Sequence, residues 1–179
     1  MVNVATDYRI SKKPANLQDN STDNSKAAAS FPASKIVRTT LAEARSGALA
    51  TLAADGAPFA SLVLTATDEA GDLVMLLSRL AVHTQNLERD PRASLLVVAS
   101  GGENGDPVAG GRVTVLGRAD LTVSTTARAR FLAGHPEAER YASFADFAFW
   151  RLEIASAHLV AGFGRIVDLK RADIVEGRR

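Results

Sequence analysis

Two hydroxyls, an imidazole, a guanidinium and two amides fall within twelve residues, Leu76-Leu77-Ser78-Arg79-Leu80-Ala81-Val82-His83-Thr84-Gln85-Asn86-Leu87. The stretch begins as the end of an apolar strand and finishes as the first turns of a helix. A helix N-terminus offers free backbone N–H groups and a partial positive charge, so an anion there gains both. Ser78 and Thr84 would add hydroxyl donors, Asn86 an amide donor, and Arg79 a fixed charge suited to phosphate oxygens. His83 can donate from either ring nitrogen, and a nearby dianion would favour its protonated form. The same residues also suit a well-capped loop with an exposed arginine and histidine, so spacing alone leaves both readings open.

The other chemistry-bearing residues stand apart. His158 lies in the run Ile154-Ala155-Ser156-Ala157-His158-Leu159-Val160 and reads either as a satisfied core or groove histidine or as a ligand. His135, before Pro136 at a helix break, reads as structural. Gly162-Phe163-Gly164-Arg165 lacks the third glycine and the strand-to-helix setting of a dinucleotide fingerprint. Its glycines instead let the backbone pass close to a subunit or a planar ligand, with Arg165 able to pair with an acid group. Asp55, Asp68, Glu69 and Asp72 sit in turns and are explained as turn formers. No serine lies in a nucleophile elbow and no histidine pair has metal spacing, so any chemistry falls to a bound cofactor.

The elements that must position these groups follow from periodicity. Residues 1 to 30 are rich in Asn, Ser, Asp, Lys and Thr and read as a flexible arm, with 31 to 179 as one domain. Ile36, Val37, Thr40, Leu41 and Ala44 predict a helix from about 32 to 46, stopped by Gly47. Strands follow at 48–53, 59–67 and 73–78, joined by Asp-Gly and Gly-Asp turns into an antiparallel meander. A short helix from Thr84 ends before Pro91. Arg92–Ala99 is nearly all apolar and reads as a central strand. The loop Gly101–Pro107 leads to a strand at 112–119. Ser124 caps a helix to about Ala133. Strands at 150–160 and 162–167 close the chain. Six or seven mostly antiparallel strands in about 130 residues would leave open edges as a flat sheet, so the expected fold is α+β, a small barrel with flanking helices.

Composition narrows the classes. The chain has 179 residues, 46% of them hydrophobic and 23% charged, a formal net charge of +1 and no cysteine. A near-neutral chain creates no general field for nucleic acid. Without cysteine there is no disulfide framework and no thiolate-ligated metal. No apolar run spans a membrane, and the start lacks a signal-like pattern, so a cytoplasmic location is expected.

Several runs together resemble a known family. Arg45-Ser46-Gly47-Ala48-Leu49-Ala50-Thr51-Leu52, Asp55-Gly56-Ala57-Pro58-Phe59-Ala60-Ser61-Leu62-Val63, the stretch Leu77–Leu87, and Asp90-Pro91-Arg92-Ala93-Ser94-Leu95-Leu96 are similar to the pyridoxamine 5'-phosphate oxidase-like, FMN-binding split barrels. Ala157-His158-Leu159-Val160-Ala161-Gly162-Phe163-Gly164-Arg165 is similar to the branch related to haem-utilisation proteins. The resemblance covers about residues 32 to 168. It implies a homodimer with FMN sites in the clefts between subunits, and a flavin oxidoreductase acting on a small molecule. The phosphate would be held by Ser61, Ser78, Arg79, His83, Thr84 and Asn86. Trp150 and Phe163 read as core-packing residues or as neighbours of the ring. The alternative it implies is haem binding or breakdown in the same cleft, with His158 and Arg165 as contacts. The chain departs from the vitamin B6 oxidases in having His83-Thr84 where those carry an Arg-Lys pair. It also lacks their arginine- and histidine-rich C-terminal motif.

Overall fold

The computed structural model describes residues 32–99, 110–162 and 164–175. The expected arm at 1–30, the loop Gly101–Pro107 and Phe163 lie outside the described residues. The described chain runs α1 (Ala33–Glu43), β1 (Ser46–Leu52), β2 (Pro58–Leu64), β3 (Ala66–Thr67), β4 (Leu73–Ser78), α2 (Val82–Arg89), β5 (Arg92–Val98), β6 (Gly111–Leu121), α3 (Thr125–Gly134), a 3₁₀ turn (Pro136–Arg140), β7 (Phe147–Ala161), β8 (Ile166–Lys170) and α4 (Arg171–Ile174). The order within the sheet is β2-β1-β5-β6-β7-β4-β3, with β8 added to β7. Every ladder is antiparallel. The two ends of this path, β2 and β3, are separated in sequence by Thr65 alone, so the sheet has to curl until its edges meet. That is the expected α+β split barrel.

The expected meander of three strands is corrected. β1 and β2 form a hairpin, but β4 pairs with β3 and β7, not with β2. The expected strand 59–67 is broken at Thr65, whose N–H turns away to the Arg45 carbonyl at 3.1 Å. The first helix also stops earlier than the hydrophobic spacing suggests. Ala44 is extended, at φ −65° and ψ 126°. Gly47 is therefore no helix stop. It lies in β1, where a Cβ would come 2.5 Å from Leu95 Cδ2 and 2.8 Å from the Leu96 carbonyl oxygen. The missing side chain lets β5 close on β1. β7 is longer than expected and β8 is shifted to 166–170.

Burial explains the apolar runs. β4 is buried over Leu73–Leu77 because both faces are covered. One face enters the barrel; on the other, Val74, Leu76 and Phe149 pack with Ala127 and Phe131 of α3. Phe131 meets Phe149 edge-on at 5.6 Å between ring centroids. β5 is equally apolar in sequence and does lie centrally, but its burial alternates. Leu95 and Val97 are inside, whereas Leu96 and Val98 are exposed on the outer face.

A long strand, β7, carries β4 and β8 end to end along one edge. Asp72 fills the gap between them. Its carboxylate, in a residue only 1% exposed, accepts the Ile154 N–H at 2.9 Å and two bonds from Arg171 at 2.7 and 3.0 Å. Arg171 also donates to the Ile154 carbonyl at 2.7 Å. Asp72 is thus a buried ion-pair residue rather than only the turn former expected. Its partner's guanidinium is pushed further above its ordinary pKa by this hydrogen bond.

Two stability outcomes follow. Arg171→Ala leaves a buried carboxylate unpaired and should cost about 3–5 kcal/mol in urea unfolding; a loss under about 1 kcal/mol would contradict the assigned role. Gly117 sits at the β6–β7 bulge, where a Cβ would run into the Glu153 carbonyl oxygen. Gly117→Ala should cost about 1–3 kcal/mol or more. Gly111→Ala, whose Cβ meets only Ala99 Cβ at 3.8 Å, is the near-neutral control.

Candidate functional site

The structure divides the expected anion site in two. Ser61 and His83 do meet: Ser61 Oγ and His83 Nδ1 are 3.0 Å apart, across β2 and α2. Half-burial lowers the His83 pKa below its ordinary 6.5, so its imidazole is neutral at pH 7 and acts through hydrogen bonds rather than charge. Arg79 is exposed in the loop between β4 and α2, where its backbone N–H donates to the Asp146 carbonyl at 2.7 Å.

Thr84 and Asn86 need correction, because they face the core and not this cluster. Both are buried. Asn86 Nδ2 donates to Thr51 Oγ1 at 3.0 Å, and its Oδ1 accepts from Arg89. The N-cap of α2 is Ala81, with no side-chain cap, so Thr84 falls within the helix and turns inward. Ser78 is occupied as well. Its hydroxyl donates to Asp146 Oδ2 at 2.7 Å and accepts the Leu80 N–H at 3.2 Å. Asp146 places a negative charge beside the expected phosphate position, which opposes a dianion there. Nothing in the run at 76–87 signals Asp146, which lies 68 residues on. Of the six residues, Ser61 and His83 are in contact.

A second constellation lies on the outer face of the sheet. The ladders align Leu62, Ala48, Leu96, Thr114, His158 and Asp168 in one row from β2 to β8. The neighbouring row is Ala60, Ala50, Ser94, Leu116, Ser156 and Lys170. Partners in such pairs share a face. The two rows are mostly small or apolar, and Leu62, Leu96 and Leu116 are exposed. His158 is not a core histidine: its side chain is 43% exposed. Its Nδ1 is 2.7 Å from Asp168 Oδ1. Among the described residues Nε2 has no partner.

Asp168 escaped the sequence reading because the last strand was expected to end at 167. The signal was present: a hairpin turn over 161–165, with Gly162 and Gly164 at positive φ, sets residue 168 opposite 158. His135 is the buried histidine, as expected, with Nε2 2.9 Å from the Thr65 carbonyl. Trp150 is packed in the core at 4% exposure. Arg165 is exposed at the β7–β8 turn, close in sequence to the histidine face.

Comparison with known proteins places the fold. The family described as CREG, beta-barrel matches residues 30–174. The chain belongs to this CREG β-barrel family. The family is of the split-barrel kind, and relatives of this chain include proteins of haem utilisation. The chain is 34% identical over 142 residues to the non-canonical heme oxygenase HOZ, chloroplastic, of Arabidopsis thaliana, covering 76% of this chain and 42% of that protein. It is similar to a heme binding protein from Mycobacterium smegmatis, with 35% identity and a TM-score of 0.74, covering 79% of this chain and 59% of that one. The CREG β-barrel chain therefore spans about half the length of these relatives. The heme storage protein HutZ from Vibrio cholerae shares the fold, with a TM-score of 0.56 at 21% identity, over 74% of this chain and 91% of that one. Among the described residues no helix is long and apolar enough to cross a membrane.

The geometry predicts that His83 titrates below pH 6.5 in an NMR pH series. A midpoint at or above 6.5 would contradict the half-buried, neutral imidazole. The sign for stability is that of a depressed base: protonation favours the unfolded chain, so the His83 contribution is complete above pH 6.5 and falls as the pH drops below it.

Proposed function

We propose that this chain binds haem on the outer sheet face around His158, in a cleft shared by two copies of the chain. One observation carries the reading: Asp168 holds His158 Nδ1 at 2.7 Å and leaves Nε2 without a partner among the described residues. A carboxylate on one ring nitrogen fixes the tautomer and raises the basicity of the other, the usual brace for a ligating histidine. Nε2 would hold the iron. The donor set fits, and so does the surface. Thr114, Ser156, Ser94, Ala48 and Ala50 keep the face beside His158 low, as a planar macrocycle requires, with Leu96 and Leu116 adding apolar contact. Arg165 offers a cation for an acidic edge group. Bound haem would supply iron for oxygen or electron chemistry. The named heme oxygenase and heme binding relatives support the reading.

A second copy is assigned to the same face. Leu62 is 77% exposed and Ile166 61%, at opposite ends of the sheet, with Leu96, Val98 and Leu116 between them. An exposed apolar band of this kind marks a contact surface, and a two-fold pair of such faces is self-complementary. The family resemblance points to the same homodimer.

A flavin reading rests on other residues. Ser61 and His83, in contact at 3.0 Å, with the exposed Arg79 of the β4–α2 loop, would hold an FMN phosphate, and the protein would then be a flavin oxidoreductase. The Asp146 carboxylate and the inward Thr84 and Asn86 make that fit poorer than the haem fit.

Haemin titration tests the proposal. The wild type should give a saturable Soret shift, and His158→Ala should weaken binding at least tenfold. Asp168→Asn should weaken it less and alter the Soret position. An unchanged titration in His158→Ala would overturn the assignment. If excess FMN raises the melting temperature and haemin does not, the flavin reading replaces it. Leu62→Arg should shift sedimentation from dimer to monomer; a wild-type chain that sediments as a monomer would remove the shared cleft.

A further inference from the structure

A cleft on another part of the surface gathers positive charge that no carboxylate pairs with among the described residues. It has a volume of about 340 Å³ and lies between the end of α1, the β2–β3 link and the end of α3. Arg45, in the two-residue link from α1 to β1, and Arg130, on α3, both line it. The Arg45 guanidinium lies over Gly134, 4.0 Å from where a Cβ would stand. Arg130 spends its Nε–H on the Thr67 carbonyl at 3.0 Å, which fixes the side chain and leaves its two terminal NH₂ groups. Neither arginine has a carboxylate partner among the described residues, and no Asp or Glu lines the cleft. Glu137 lies 3.6 Å from Nδ1 of the lining residue His135, and Glu43 and Asp68 adjoin the lining residues Ala42, Ala44 and Thr67 in sequence. Thr65, also in the wall, has a buried hydroxyl with no hydrogen-bond partner.

Two like charges in one cleft repel, and an unmade buried hydrogen bond costs free energy. Both point to a missing anion. We propose that Arg45 and Arg130 form a binding site for a phosphate group. Two guanidinium forks match the charge of a phosphate near −2 and the spread of its oxygens better than they match a single carboxylate. The immobilised Arg130 gives the site one preset arm. The site shares no residue with the His158 face or with the Ser61–His83 cluster, so it stands or falls apart from the haem reading.

The phosphate is carried either free or on a small organic molecule, and the experiment separates these sources. Amide shifts of Thr65, Thr67 and Gly134 are followed by NMR during addition of inorganic phosphate or of methyl phosphate, with chloride at matched ionic strength as control. Saturable shifts with phosphate but not chloride are expected. Arg45→Gln and Arg130→Gln should each weaken binding about tenfold, and the double variant should abolish saturation. Arg118→Gln, an exposed arginine on β6, should leave it unchanged. Tighter binding of the ester identifies an organic phosphate as ligand; tighter binding of the inorganic ion identifies free phosphate. Shifts that do not saturate, or that survive in the double variant with an unchanged melting temperature, overturn the site. If the double variant is unfolded, competition by sulfate in the wild type decides: failure to compete counts against the site.

Discussion

One residue of chain, Thr65, joins the two strands at opposite ends of the sheet. This short link governs the architecture. Strands β2 and β3 cannot stand six strands apart in a flat sheet and still be covalent neighbours, so the sheet curls around its own core. The curl puts Leu49, Leu95, Val113, Val115 and Leu159 inside. Outside, α3 and the 3₁₀ turn cover the β4–β7 region through Phe131 and Ala138. Among the described residues, the broad face running from β2 to β8 keeps no such cover. The proposed haem site depends on what the curled sheet leaves outward on that face.

On that face the chemistry is concentrated in one hydrogen-bonded pair, His158 with Asp168. The pair depends on the register of a hairpin whose turn carries Gly162 and Gly164 at positive φ. The base of that hairpin is tied down by Asp72 and Arg171, which span the gap between β4 and β8. The Ser61–His83 pair works differently. It lies at the meeting of β2 and α2, its imidazole is held neutral by burial, and its neighbour Ser78 is bonded to a carboxylate. Neutral donors beside a negative charge make a weaker phosphate grip than the residue types alone suggest, and this separates the two cofactor readings.

Much of the fold was legible from periodicity and turn residues. The β1–β2 hairpin is written in Asp55-Gly56, the α3 cap in Ser124, whose hydroxyl accepts the Ala127 N–H at 3.1 Å, and the helix break in His135-Pro136. Pairing between distant strands was not legible, since no local pattern says that β4 lies against β7. The site was legible as residue types but not as directions. Asn86 and Thr84 look like donors in a list of residues, yet the start of α2 at Val82 turns both inward. Asp168 was hidden by a shift of a few residues in the last strand. The apolar run of β5 carried two meanings at once, a core face at Leu95 and Val97 and an outward face at Leu96 and Val98.

The account turns on which atom holds the iron. The chain has three histidines, His83, His135 and His158, so pulsed EPR of the haemin complex with ¹⁵N-labelled histidine reads the ligand directly. The account predicts coupling to an imidazole nitrogen that disappears in His158→Ala and persists when His83 is replaced instead. An identical nitrogen coupling in His158→Ala, or none in the wild type, would contradict it.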